Sequence, residues 1–486
     1  MNKLLCIVLF FFLIPRSNHL QTNNEVDKDF TTEVDKYINL VQKRYGIPGI
    51  SIAIIQNDQV VYRKNIGKAN IEHNVPLNDR SIFRVYSLTK LSVSVAIFKL
   101  IEQEKISLND PLSKYLSDVP LSWQTIQIKH LLTHSSGLPD MAPFIEFESL
   151  NEQQAREKVF SQPLRFDVGT RYEYNQTGFW LLKRIIEKIT NTDLESYIIK
   201  NQFQPDRNRT NVFLSSDSRQ IISNRVTPYF PFRTGTMLID HSFGGNYIVA
   251  ANGLNLTLDQ FIKWDHNLTT NQLINEHSKK TMWSNFEYED SNKQFAYGWD
   301  KHQVNKEVSF GFSGSLVTAY RHFPNKKLSI IFLSNGLEHY FNIESVMNHI
   351  AGLVDGELMD INSYIFESLL QTATEKSFKE FKQQYAELSE NQKNQNVNLE
   401  AQVNSVGYML LNIQRFDQAL KIFDFNKGKF PESWNTYDSL GEAYELTGDM
   451  EKAIINYKKA IAKNTLNVND NNTRLIRKIE ELSKEN

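Results

Sequence analysis

Strand signals lie at two distant places in this chain and bracket a long middle in which helical and loop patterns predominate. Near the N-terminus, Gly49–Gln56 and 59–63 are rich in β-branched residues, and the Asn57-Asp58 pair between them is typical of a hairpin turn. The same pattern returns in 314–320 and Leu328–Ser334. Strands at both ends of a helical segment predict an α/β domain, in which one antiparallel sheet is built from both ends around a large helical insert.

The size and charge of the chain restrict its organisation and its partners. A length of 486 residues predicts two or three domains, and 41% hydrophobic residues supply enough apolar side chains for their cores. The formal net charge is -2. Because a nucleic-acid-binding protein needs a basic excess, we expect no nucleic-acid partner.

The first residues have the layout of a secretory signal. Lys3 precedes an unbroken apolar run, 4–14, which Pro15 and a polar stretch follow. The run is shorter than the roughly 20 residues that span a bilayer. We therefore interpret 1–20 as a signal peptide and expect an exported protein, in the periplasm or outside the cell, with no stable membrane span. Because the only cysteine, Cys6, lies in this run, the mature protein would lack disulfides, cysteine catalysis and a cysteine zinc site.

From about residue 401 onward, short side-chain patterns repeat. Five positions have the same or a similar residue 34 positions later: Ser405, Val406, Gly407, Ala419 and Phe423 correspond to Ser439, Leu440, Gly441, Ala453 and Tyr457. A period of 34 residues is that of the tetratricopeptide helix pair, in which small residues let two helices approach closely. We expect an all-α tetratricopeptide repeat pair in 401–486 that docks on the preceding domain or on a protein partner. Residues 361–400 are interpreted as a helical linker.

Ser87 and Lys90 stand one helical turn apart at the start of an apolar segment that predicts a buried helix. At positions i and i+3 their side chains share one face of the helix. A serine hydroxyl needs a base to act as a nucleophile at neutral pH, and a lysine amine becomes that base only when its pKa falls from about 10.4. The pair is therefore a candidate nucleophile and base, although so short a pattern also arises by chance at a helix N-terminus.

Further segments follow this serine in a recognisable order: 128–140 (IKHLLTHSSGLPD), 163–190, 252–264 and 310–324. With them, roughly 31–337 resembles the serine β-lactamase and penicillin-binding-protein superfamily, in the branch of class C β-lactamases, D-alanyl-D-alanine carboxypeptidases and related esterases. The resemblance implies a β-lactamase/DD-peptidase-like fold and a serine hydrolase domain, which we place at 25–360. We expect no cofactor and no metal.

The resemblance also implies roles for particular residues. Ser87 resembles the nucleophile that becomes acylated, and Lys90 resembles its partner amine. Tyr174 matches the tyrosine whose phenol exchanges protons with the serine oxygen and the leaving group. Such a phenol needs a neighbouring ammonium, which Lys90 would supply, to work near pH 7. The backbone N–H groups of Ser87 and Ser315 would form the oxyanion hole.

Two residues of the substrate-binding motifs depart from the family pattern. Gln176 stands where the second motif has asparagine, so we expect its hydrogen bond to Lys90 or to a substrate amide to be displaced. In the third motif, Phe312-Ser313-Gly314, a phenylalanine replaces the lysine or histidine that helps to hold a substrate carboxylate. A hydrogen bond to a charged group contributes about 1.5 to 3 kcal/mol. We therefore expect an ester or amide substrate without that carboxylate, and weak β-lactamase activity.

Three histidines have other interpretations. His130 and His134 show the i and i+4 spacing of paired metal ligands, but no third ligand accompanies them, so capping or core roles are the better interpretation. His322, close to the Pro324-Asn325 turn, is expected at the surface.

Two functions from different classes remain. The first is an exported serine hydrolase that forms an acyl-enzyme on a small-molecule or peptide-like ester or amide. The second is a non-catalytic binding or scaffold protein of the same fold, in which Gln176 and Phe312 mark the loss of catalysis. The presence of Ser87, Lys90 and Tyr174 together favours the hydrolase.

Overall fold

The computed structural model describes most of the chain. The described residues are 30–143, 150–203, 211–231, 236–242, 245, 247–315, 317–391, 396–465 and 470–485. The predicted signal peptide, 1–20, lies outside them. No helix within these ranges is both long enough and apolar enough to cross a membrane.

Strands at the two ends of the first 354 residues enclose a helical middle. The strands are β1 (Gly49–Gln56), β2 (Gln59–Asn70), β3 (Val75–Pro76), β4 (Ile82–Arg84), β5 (Val212–Leu214), β6 (Tyr229–Pro231), β7 (Met237–Ile239), β8 (Leu254–Thr257), β9 (Asp300–Val304), β10 (Glu307–Gly314), β11 (Thr318–Phe323) and β12 (Leu328–Ser334). The helices are α1 (Phe30–Tyr45), α2 (Thr89–Glu102), α3 (Ile128–Leu132), α4 (Glu152–Phe160), α5 (Thr177–Thr190), α6 (Leu194–Gln202), α7 (Val249–Asn252), α8 (Leu258–Thr269), α9 (Glu276–Met282) and α10 (Ile343–Val354).

A seven-stranded antiparallel sheet forms the centre of this part, with the strand order β3-β2-β1-β12-β11-β10-β9. The N-terminal strand β1 pairs along its length with β12, so that Ile50 lies opposite Ser334 and Gln56 lies opposite Leu328. The predicted antiparallel sheet from both ends of the domain, with a large helical insert, is therefore confirmed.

Both faces of the sheet are covered, which explains why its central strands are apolar at consecutive positions. Along β1, Ile52 and Ile54 pack in a cluster with α1 and α10, whereas Ala53 and Ile55 pack against the helices of the insert. Alternate side chains of a strand point to opposite faces, so a strand buried on both sides has no polar face. The β1 segment is buried on both sides in this way.

The turns of the sheet show one correct and one wrong prediction. Asn57 and Asp58 both have positive φ angles, 51° and 61°, as the predicted hairpin turn requires. The predicted strand 314–320 is wrong in its first half, because β10 ends at Gly314 and β11 begins only at Thr318. Ser315, with a φ of 49°, begins the turn between them. The sequence after Gly314 has no glycine, asparagine or proline that would predict this turn.

The described residues after 354 form helices joined by short connections. These helices are α11 (Ile361–Glu375), α12 (Phe378–Glu390), α13 (Leu399–Asn412), α14 (Phe416–Lys429), α15 (Trp434–Leu446), α16 (Met450–Lys463) and α17 (Asn471–Glu485). A Cβ atom at Gly407 would lie 2.6 Å from the ring of Phe423, and one at Gly441 would lie 2.7 Å from the ring of Tyr457. The same close helix contact thus recurs at the offset of 34 residues that the sequence shows.

Helices α11 and α13 join the helical region to the sheet domain. Arg44 of α1 and Glu367 of α11 form a buried ion pair of 2.6 Å. Met409 and Ile413 pack against the cluster between the sheet and α1. The expected docking of the C-terminal helices on the preceding domain is therefore seen in the structure.

Candidate active site

A short 3-10 turn, Tyr86–Leu88, places Ser87 beside the end of β10. The turn leads into α2, which begins at Thr89 and is buried along most of its length. Tyr86 has a φ of 47°, a left-handed conformation that is uncommon for residues other than glycine. The Thr89 hydroxyl donates to the Tyr86 carbonyl at 2.6 Å and accepts from the Leu254 N–H at 2.9 Å. These bonds hold the turn that carries Ser87.

Three side chains that are distant in sequence meet at this turn. The Tyr174 hydroxyl lies 2.7 Å from the Ser87 Oγ, and the Lys90 Nζ lies 3.5 Å from the same oxygen. Ser87 is half-buried, whereas Lys90 is fully buried. The structure thus brings a phenol and an amine to one serine oxygen.

The hydrogen-bond partners of the Lys90 amine are neutral groups. It donates to the Gln176 Oε1 at 2.9 Å and to the Ala251 carbonyl at 2.8 Å, and it lies 4.7 Å from the centre of the Tyr174 ring. Burial lowers the pKa of Lys90 to about 7, and attraction by Asp140 opposes this shift only in part. A large fraction of the amine is therefore uncharged near neutral pH and able to accept a proton.

Tyr174 is held as a neutral phenol. Burial raises the pKa of its hydroxyl, and the hydrogen bond with Ser87 offsets only part of this effect. Burial outweighs the neighbouring hydrogen bonds, so the phenol keeps its proton at neutral pH. At neutral pH Tyr174 is a proton donor, and Lys90 is the group that can accept a proton.

Gln176 retains the contact that its extra methylene was expected to displace. Its Oε1 accepts the hydrogen bond from Lys90, and its backbone N–H donates to the Asp140 Oδ1 at 3.1 Å. The neighbouring Asn175 donates from Nδ2 to the Leu138 carbonyl and so faces away from the amine. The second motif therefore supplies one amide oxygen to Lys90.

The third motif lies on the last residues of β10. A Cβ atom at Gly314 would lie 2.3 Å from the Val85 carbonyl, so only glycine lets β10 approach the turn that carries Ser87. This contact brings the backbone of Ser315 close to that turn. Phe312 is buried, with its ring 6.1 Å from the Tyr174 ring at an angle of 28°, and Ser313 on the other face is half-buried. No positive charge is present on the third motif.

The histidines have structural contacts. The Nδ1 of His130 accepts the Gln127 N–H at the start of α3, and the Nδ1 of His134 accepts the Asn175 N–H. Within the described ranges, no three His, Cys, Asp or Glu residues are grouped so that they could hold a metal ion. The expectation that His322 lies at the surface is wrong, because His322 is buried and hydrogen-bonded to Ser329. Strand β11 is covered on both faces, which the sequence pattern did not show.

Sequence reasoning missed three groups around the site. They are the Ala251 carbonyl, the Asp140 carboxylate and the His134 imidazole, which contacts the Tyr174 ring. A backbone carbonyl leaves no signal in a sequence. Asp140 and His134 both lie in the segment IKHLLTHSSGLPD. Their place as polar residues in this segment was the signal that could have predicted their contacts with the Tyr174 motif.

The comparisons with known proteins agree with this fold. A family model described as Beta-lactamase matches residues 34–344, which is more than half of the chain. The fold and this match define the class of protein, and the chain belongs to the beta-lactamase family, within the superfamily of serine β-lactamases and penicillin-binding proteins.

Two curated relatives show how far the sequence similarity extends. The chain is 27% identical over 184 residues to Protein flp of Staphylococcus aureus (strain N315), a match that covers 36% of this chain and 37% of that protein. The chain thus spans little more than a third of that relative's length. It is 23% identical over 337 residues to Penicillin-binding protein 4* of Bacillus subtilis (strain 168), which covers 64% of this chain and 73% of that protein.

Two solved structures share the fold. The octameric penicillin-binding protein homologue from Pyrococcus abyssi aligns with a TM-score of 0.59 at 23% identity and covers 69% of this chain and 81% of that one. The D-amino acid amidase from Ochrobactrum anthropi SV3, in complex with D-phenylalanine, aligns with a TM-score of 0.57 at 18% identity and covers 69% of this chain and 99% of that one.

Proposed function

We propose that this protein is a serine hydrolase that forms an acyl-enzyme on Ser87 with an ester or amide substrate. The observation that carries the proposal is the shared position of the Lys90 amine and the Tyr174 phenol at the Ser87 oxygen. Lys90 has a pKa of about 7 because it is buried, so a free amine is available at physiological pH. Membership of the beta-lactamase family also supports this chemistry.

Each proton in the proposed reaction has a donor and an acceptor. The Ser87 Oγ forms a bond to the carbonyl carbon of the substrate while its proton passes to the Lys90 amine. The bond to the leaving group then breaks, and the leaving nitrogen or oxygen takes the proton of the Tyr174 phenol. The Lys90 ammonium returns a proton to that phenol. Water releases the acyl group by the same steps in reverse and restores the Ser87 hydroxyl.

The N–H groups of Ser87 and Ser315 are the proposed donors to the negative oxygen of the tetrahedral intermediate. Two features support this role. Gly314 approaches Val85 closely, and the left-handed conformation of Ser315 changes the direction of the backbone after β10. Each donor of this kind contributes about 3 to 4 kcal/mol to the transition state. Backbone donors are used here because they stay in place while the side chains exchange protons.

The proposed substrate lacks a carboxylate next to the scissile bond. Gln176, Phe312, Ser313 and Gly314 are the proposed substrate-binding residues, and the buried Phe312 offers an apolar ring where the family has a cationic or imidazole side chain. The D-amino acid amidase from Ochrobactrum anthropi, by its name, acts on an amide, which supports an amide or ester substrate for this chain as well.

A fluorophosphonate probe tests the nucleophile. We expect the probe to label the wild-type protein and not the Ser87→Ala variant, while Ser113→Ala, which changes an exposed serine elsewhere, is labelled like the wild type. Labelling that survives Ser87→Ala would identify another nucleophile. A wild-type protein that no acylating probe labels would favour the non-catalytic binding protein.

A pair of substrates tests the specificity. We expect the wild type to hydrolyse a neutral aryl ester well and a cephalosporin poorly, and Phe312→His to improve the cephalosporin relative to the ester by about 10-fold to 100-fold. Comparable turnover of both substrates by the wild type would contradict the proposed substrate class.

The proposed organisation has four parts: a signal peptide at 1–20, the hydrolase domain at 25–360, a helical linker at 361–400 and a tetratricopeptide-like module at 401–486. Export to the periplasm or the medium follows from the first part. Cell fractionation of the full chain and of a chain without 1–20 tests this, since only the full chain is expected outside the cytoplasm.

The C-terminal helices offer a groove for a protein partner. It has a volume of about 610 Å³ between α10, α11 and α13 and includes Asn348, Asn362, Gln402, Ser405, Tyr408 and Asn412. Amide side chains pair well with peptide groups. Of the two carboxylates in the groove, Glu344 is ion-paired with the buried Arg321 and Asp360 caps α11, so the proposed ligand is a neutral extended peptide. Peptides of this kind are expected to bind the wild type and to lose affinity with Tyr408→Ala; preference for acidic peptides would refute it.

A further inference from the structure

His134 holds the backbone on both sides of Tyr174. Its carbonyl accepts the Glu173 N–H at 2.9 Å, and its Nδ1 accepts the Asn175 N–H at 3.1 Å. Its ring lies 4.7 Å from the Tyr174 ring, centre to centre. One residue therefore holds the N–H groups of the two residues that flank Tyr174 and also packs against the Tyr174 ring.

His134 is itself held rigidly. It is buried, with 1% of its surface exposed, and its φ of 55° sets it in a tight turn that the hydrogen bond from the Ser135 N–H to the His130 carbonyl closes at 3.0 Å. Other aromatic rings enclose the imidazole on its remaining sides: Tyr172, Phe179 and Phe295. A ring enclosed in this way has one orientation available.

The contact with Asn175 requires a neutral imidazole. Because Nδ1 accepts a backbone N–H, the ring proton sits on Nε2, and a protonated ring would leave the Asn175 N–H without an acceptor. Burial and the nearby Lys90 lower the pKa of His134 well below its usual range, in agreement with this geometry. The imidazole therefore adds no charge beside Lys90.

We propose that His134 is a positioning residue that holds the Tyr174 phenol at hydrogen-bonding distance from the Ser87 oxygen. This inference rests on the proposed acylation by Ser87. His134 contacts the ring of Tyr174 and the backbone beside it, and it acts through this residue. A displacement of about 1 Å in a catalytic group lowers a rate by roughly 100-fold. The loss of the His134 contacts is therefore expected to slow acylation while substrate binding is retained.

The chain offers a matched control. In His130, four residues earlier, the Nδ1 also accepts a backbone N–H, that of Gln127, but the ring packs against Phe286 rather than Tyr174. We expect His134→Phe to lower the single-turnover rate of acylation by a neutral aryl ester by roughly 100-fold, with the dissociation constant of the ester unchanged. His130→Phe is expected to leave this rate unchanged. His134→Asn, whose Oδ1 takes the place of Nδ1, is expected to recover part of the loss.

A double-mutant cycle with Tyr174→Phe separates positioning from general folding support. If His134 acts through the phenol, His134→Phe has little further effect once that hydroxyl is gone. Equal losses in the Tyr174→Phe background and in the wild type, or equal losses in the two histidine variants, would overturn the proposal. If His134→Phe does not fold, His134→Asn enters the cycle instead. A wild type without any acylation at Ser87 would instead refute the proposed function.

Discussion

Two buried cations in this protein have opposite surroundings. Arg44 forms a direct ion pair with Glu367, and both side chains are almost fully enclosed, with 2% and 4% exposed. Lys90 is equally enclosed, but its hydrogen bonds go to an amide oxygen and a backbone carbonyl, at Gln176 and Ala251. One cation is matched by an opposite charge, and the other is not.

The pKa values follow this difference. Burial alone would lower the pKa of Arg44, but the attraction of Glu367 reverses the shift, so the pKa rises and the guanidinium stays charged. Burial lowers the pKa of Lys90 to about 7 because only the more distant Asp140 opposes it. A buried cation with an anionic partner can join two parts of a fold, whereas a buried cation without one can exchange protons.

The largest effect is expected from Lys90→Met. Without a general base, acylation of Ser87 by a neutral aryl ester should slow by about 10²-fold to 10⁴-fold. The free energy of unfolding should change by no more than about 2 kcal/mol, because the loss of a buried charge offsets the two acceptors left without a donor. Stopped-flow kinetics and denaturant unfolding measure both quantities. A Lys90→Met variant that is acylated at the wild-type rate would contradict the role of Lys90 as the base.

Glu367→Gln should show the opposite pattern. It leaves the Arg44 charge buried without a counter-ion, so unfolding should become easier by about 3 to 5 kcal/mol, while the folded fraction keeps its acylation rate. Glu276→Gln, which removes an exposed partner of Lys280, is the matched control and should leave stability unchanged. Equal stability of the two variants would show that Arg44 and Glu367 do not join the two parts of the fold.

The smallest effect is expected within the C-terminal helices. Gly441→Ala places a methyl group 2.7 Å from the fully buried Tyr457 ring and should cost about 1 to 3 kcal/mol of stability without a change in acylation. Gly428→Ala, on α14 with no atom within 4 Å of the new Cβ, should be neutral or stabilising by up to about 1 kcal/mol. Similar unfolding midpoints for both variants would argue against the close helix contact.

Much of the fold was predictable because the signals were local. The limits of β1 and β12 match the apolar runs of the sequence, and Gly407 and Gly441 marked the helix contacts through their spacing. The turn after Gly314 was missed because Ser315 adopts a left-handed conformation that serine rarely takes. His322 was misplaced because a strand covered on both faces shows no alternation.

The site was predictable only in part. Ser87 and Lys90 are neighbours on one turn of chain, so their proximity followed from helix geometry, but Tyr174 entered only through the family resemblance. The neutral surroundings of Lys90 depend on the Ala251 carbonyl, and the orientation of Tyr174 depends on His134. These contacts arise when distant segments pack together, and a single sequence carries no local pattern for them.

The pH dependence of acylation tests the central claim, that a buried amine with a pKa of about 7 activates Ser87. The measurement is the second-order rate constant for acylation by a neutral aryl ester between pH 5 and 10. Because the neutral amine is the active form, the rate should rise with pH through a midpoint near 7 and then level off, with no such step in Lys90→Met. A rate that is independent of pH across neutrality, or a midpoint near 10, would contradict the account.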